Sequence, residues 1–128
     1  MWTTLVRAWL LVISAFEVPE LYKFLVDEAK FDEFNSNLVS APAERRLWGF
    51  VLVLLVLVRL LGVCAPDVRA VRVHVAVVHA AELLVFGSEK IFFGSLGEDA
   101  ILAAIAFNAV LFSAWAIAGI KVKAVKGD

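Results

Sequence analysis

Cysteine occurs once in the 128 residues, at Cys64, which excludes an intrachain disulfide and a cysteine-built metal cage. Neither sign of charge is in excess. Twelve basic residues face thirteen acidic ones, for a net charge of -1, and no basic stripe with interleaved aromatics is present. Nucleic acid is therefore not among the expected partners. The motifs of common enzymes are missing as well: there is no G-x-S-x-G, no G-x-x-x-x-G-K, no G-x-G-x-x-G and no H-E-x-x-H. Short loops leave little room for a soluble active site, so the chain is expected not to be an enzyme and to hold no metal or cofactor.

What the chain has in abundance is apolar surface. Hydrophobic residues make up 62% of it, against about 45–50% in an ordinary soluble domain. That surplus predicts an all-α integral membrane protein, a single domain over 1–128. It is read as a bundle of four transmembrane helices over about 4–20, 47–65, 68–87 and 100–120, with an amphipathic connection after the first.

The first apolar run, Ala8 to Phe16, follows Arg7 and resembles a signal peptide in length. It is followed by Glu17-Val18-Pro19-Glu20 with no small-x-small cleavage site, so it is read as a membrane helix that kinks at Pro19 and leaves the hydrocarbon there. Leu21, Phe24, Leu25, Phe31, Phe34 and Leu38 then recur among Asp27, Glu28, Asp32 and Glu33. Such a stretch either lies on a membrane face or against a partner, or runs as a solvated loop with anchoring phenylalanines. Turn material at 35–42 leads to Arg45-Arg46-Leu47-Trp48, a headgroup-level signature. The second run carries Arg59 as its one charge, which is expected to snorkel to the nearer surface.

Pro66-Asp67 makes a turn, with Asp67 placed to cap the third helix. The last run, Ala100 to Ile120, has no charge; Asn108 and Ser113 are its polar interruptions. Four crossings put both termini on one side. Seven basic residues at the termini and the turn between the second and third runs, against five in the opposite loops, place that side on the cytoplasmic or matrix-like face.

Candidate chemistry concentrates in the third run, VRAVRVHVAVVHAAELLVFG. His79 and Glu82 are three apart and share a helix face. They read as half of a carboxylate and histidine metal site, as a proton relay of a small transporter, or as a hydrogen-bonded helix contact, the last being the default because no second such pair exists. His74 and His79 are about 140° apart around the helix and do not converge. A hydrogen bond from a histidine to Asn108, Ser14 or a backbone carbonyl is expected. Arg59, Arg69 and Arg72 cluster where the second and third runs meet. They form either a pocket for an anionic phospholipid headgroup or ordinary snorkelling side chains.

With these elements placed, the chain resembles the ergosterol biosynthetic protein twenty-eight family, the membrane tether of the sterol C-4 demethylation complex. Leu5-Val6-Arg7-Ala8-Trp9-Leu10 looks like the family's opening Arg-x-Trp-Leu, Arg46-x-x-Gly49 is similar to its Arg-x-x-Gly, and Glu82-Leu83-x-Val85-Phe86-Gly87 after a histidine looks like the end of its third helix. The sequence departs from the pattern in spacing His79 three residues rather than four before Glu82. What the resemblance implies is a non-catalytic scaffold in the endoplasmic reticulum that holds sterol-modifying enzymes together. Arg7, Trp9, Arg46, Gly49, His79, Glu82 and Gly87 would then be helix-packing or partner-contact positions. The alternative in the same physical class is an accessory subunit of a respiratory or ATP synthase complex in the mitochondrial inner membrane. In either setting the partners are other membrane proteins of a multi-subunit complex and bilayer lipids.

Overall fold

The computed structural model describes residues 1–26, 42–93 and 99–125, which are helical with short turns and include no strand. Helix α1 runs Trp2–Leu25, α2 Pro42–Cys64, α3 Arg69–Ser88 with a π turn continuing it over Glu89–Phe93, and α4 Asp99–Val125. The acidic connection expected after the first helix falls mainly on 27–41; 27–41 and 94–98 lie outside the described residues.

Three helical stretches, Arg46–Cys64, Arg69–Phe93 and Asp99–Gly119, are long and apolar enough to cross a membrane. Helix α1 has the length, at 24 residues, but carries Arg7, Glu17, Glu20 and Lys23. It runs on through Pro19, where the sequence suggested a kink. It continues to Leu25, because proline removes one N–H from the ladder and the following turns can still close. Pro42 starts α2, where its missing N–H is not needed. Asp67 does not cap α3. Val68 occupies that position with no side-chain cap, and the Asp67 carboxylate pairs instead with Arg72 at 3.2 Å.

The helices alternate in direction. Gly49, near the start of α2, packs against Phe24 and Leu25 at the end of α1, while Gly62, near the end of α2, packs against Leu10 and Val75. A Cβ on Gly62 would stand 3.0 Å from Leu10 and 3.1 Å from Val75, so the missing side chain is what lets α1, α2 and α3 approach there. The apolar core is built from Val6, Leu10 and Ile13 of α1, Val71, Val75 and Ala76 of α3, and Phe112, Trp115 and Ala116 of α4.

Each helix turns one stripe inward, and the polar residues of the apolar runs lie on those stripes. Leu55, Arg59 and Gly62 are the inner face of α2; Ile105, Asn108, Phe112 and Trp115 that of α4. Val71, Val75 and His79 continue to Glu82 on α3 at the same spacing. The outer faces are apolar and exposed, with Phe16, Leu84, Phe92 and Val110 among the side chains that face outward. No more than 33% of any of the three spans is buried within the chain.

Candidate functional site

The site grows from Arg59. Its position on the inner stripe of α2 sends the side chain into the bundle, where it is 2% exposed. An isolated guanidinium in hydrocarbon costs from a few to more than ten kcal/mol, so it must find acceptors within reach. It finds them on two other helices. Nε donates to His79 Nε2 on α3 at 2.9 Å, Nη1 pairs with the Glu17 carboxylate on α1, and Nη2 lies 3.7 Å from Glu82 Oε2 on α3. One planar, forked cation thus joins three helices, a geometry that the single ammonium of lysine would not reproduce.

The fourth helix closes the cluster through an aromatic contact. The His79 ring, fully buried, lies 4.4 Å from the Phe112 ring of α4, centroid to centroid. Its Nδ1 is 2.7 Å from the Val75 carbonyl. Arginine can only donate, so Nε2 accepts, the ring proton sits on Nδ1, and the imidazole is neutral while these bonds stand. Glu82 lies about midway along the Arg69–Phe93 span. Two carboxylates share one guanidinium, and Glu17 Oε2 is buried without a hydrogen bond among the described residues. The cation that these two carboxylates attract is Arg59 itself, which occupies the space between them where a metal ion would have to sit.

A second polar contact ties α1 to α4. Trp9 donates from Nε1 to Asn108 Oδ1 at 2.8 Å, and its ring meets Phe107 edge-on with centroids 5.9 Å apart. Replacing Trp9 by phenylalanine keeps most of the ring and removes the donor, leaving a buried amide oxygen unpaired. The expected loss is about 1 kcal/mol, the scale measured for interhelical hydrogen bonds in membranes, read as a lower thermal midpoint in detergent. Ser14 is satisfied within its own helix, donating to the Leu10 carbonyl at 2.7 Å.

The structure separates residues that look alike in the sequence. Arg59 does not snorkel and is not a lipid contact, since it is buried with Glu17, His79 and Glu82 around its guanidinium. Arg69 and Arg72 remain at the turn. His79 bonds Arg59 and the Val75 carbonyl rather than Asn108 or Ser14, and His74 is exposed, with its Nδ1 3.2 Å from the Ala70 carbonyl. Of the residues expected to pack helices or meet partners, Trp9, Gly49, His79 and Glu82 touch other helices. Arg7 and Arg46 are exposed, and a Cβ on Gly87 would meet nothing within 4 Å, so these three do not pack against another helix among the described residues. Sequence reasoning missed the partnership of Glu17 with Arg59 and that of Trp9 with Asn108.

Compared with known proteins, the chain matches no family model, no curated protein and no solved structure.

Proposed function

We propose that this chain is a non-catalytic, four-span membrane scaffold that holds partner proteins in a larger membrane assembly. The observation that carries the reading is the use to which the buried ionisable groups are put. Arg59, Glu17, His79 and Glu82 are consumed by one another and by helix packing, while the outer faces of α2, α3 and α4 present apolar side chains to their surroundings. In this reading α1 is the fourth crossing element. Its inward charge, Glu17, is neutralised by Arg59, and its remaining charges lie towards its ends, within reach of headgroups.

The resemblance to the sterol C-4 demethylation tether makes sterol-modifying enzymes of the endoplasmic reticulum the first partners to seek. Respiratory or ATP synthase subunits of the mitochondrial inner membrane are the second. Extraction from the native membrane in a mild detergent, followed by mass spectrometry of what migrates with the chain, tests the proposal. Stoichiometric co-migration with either set is the expected result and selects the membrane. Migration as an isolated chain would overturn the scaffold reading.

A further inference from the structure

At one end of the bundle, α1 begins, α2 turns into α3, and α4 completes its apolar span. A cavity of about 420 Å³ opens there, lined by Trp2, Thr3, Asp67, Arg69, Arg72 and Gly119 among others. Its depth in the membrane is set by the spans themselves. One ends at Cys64, the next begins at Arg69, and the charge-free run of the last gives way to Lys121, which puts the cavity at headgroup level. Trp2, half-exposed on its rim, is the kind of amphipathic side chain that marks that level.

The lining is set up for an anion. Arg72 is held in place by three contacts: Nε donates to the Pro66 carbonyl, Nη2 pairs with Asp67, and the guanidinium lies 5.1 Å from the centre of the Trp115 ring. Its Nη1 lies beside Gly119, where the missing side chain leaves it room, and makes no hydrogen bond among the described residues. Arg69 is exposed on the same rim with no ion pair among the described residues. The N–H groups of the first turn of α3 lack a side-chain cap. Asp67, at 88% exposure, offsets one of the two positive charges from the solvent side, which leaves Arg69 and the helix terminus uncompensated.

We infer that this cavity binds the phosphate of an anionic phospholipid, with Arg69 and the Nη1 edge of Arg72 as donors and the acyl chains running down the exposed apolar surface. Arg69 supplies the exposed charge and Arg72 the one held by its neighbours. Charge-assisted bonds to phosphate from a guanidinium are among the stronger polar contacts available at an interface.

The test uses the purified full chain in nanodiscs of phosphatidylcholine with and without phosphatidic acid, counting retained lipid by native mass spectrometry. One phosphatidic acid per chain, retained over phosphatidylcholine, is the expected result. Arg69→Gln, a substitution at an exposed site, is expected to weaken retention by about tenfold, whereas Arg7→Gln, an exposed arginine of α1 that does not line the cavity, leaves it unchanged. Equal retention of both lipids would overturn the proposal, as would an equal loss with Arg7→Gln, which indicates general attraction to basic residues. Displacement of phosphatidic acid by millimolar inorganic phosphate would also overturn it, because the site would then recognise a free anion.

Discussion

Arg59→Met is expected to destabilise the bundle by about 3–5 kcal/mol, the cost of breaking a buried ion pair by removing one partner. Methionine fills a similar volume and is at home in a bilayer, so the loss does not come from packing. It comes from leaving Glu17 and Glu82 facing each other across the space that the guanidinium occupied, with His79 Nε2 stripped of its donor. Arg59→Lys keeps a charge but cannot serve three acceptors on two helices, and falls between wild type and Arg59→Met. The sign of a further comparison follows from the same physics. Combining Arg59→Met with Glu17→Gln and Glu82→Gln removes all three charges together, and it is expected to cost less than Arg59→Met alone, because no buried charge is then left without its partner. Thermal unfolding in one detergent, followed by loss of helix signal, orders the four proteins.

Trp115→Ala is the second large effect, at about 3–5 kcal/mol for emptying the position of a buried tryptophan. The ring is fully buried in the core of Leu10, Val75 and Phe112, and Gly62 opposite it cannot grow to fill the space. It also supports the Arg72 guanidinium through a cation–π contact. Its Nε1 has no acceptor among the described residues. Trp115→Phe therefore trades a smaller ring for the removal of an unsatisfied donor, and its cost is expected to be well below that of Trp115→Ala. If the two variants unfold at the same temperature, the ring is not packed as the structure has it.

These expectations turn on contacts that the sequence discloses unevenly. The spans of α2, α3 and α4 are legible because apolar runs of sufficient length are bounded by Pro66-Asp67 and by charged residues, and the bilayer leaves helices few alternatives. The inner face of each is harder to see. In α2 nearly every side chain is apolar, so hydrophobic periodicity does not say which side turns inward; the lone arginine does, since a buried charge must face protein. Taken singly, Arg59 reads as a snorkelling residue near a helix end. Taken with Glu17, a charge of opposite sign at the end of the preceding apolar run, it reads as half of an ion pair. What the sequence lacks is the register that brings them level. That register is fixed in space by Gly49 against Leu25 and Gly62 against Leu10, close approaches that leave no periodic trace. Arg72, thirteen residues after Arg59, looks like its neighbour in the chain, yet the turn at Pro66 puts it beside Asp67 and Gly119 at the bundle end.

The division of labour proposed for this chain, ionisable groups spent inside and apolar faces offered outside, rests on Arg59 and Glu17 acting as a pair. A double-mutant cycle with Arg59→Met, Glu17→Gln and their combination, scored by unfolding free energy in detergent, measures that pairing. A coupling of about 1–3 kcal/mol is expected, with the double variant less destabilised than the sum of the singles. Additivity to within about 0.5 kcal/mol would contradict it, because the two charges would then belong to separate environments rather than to one cluster at the centre of the fold.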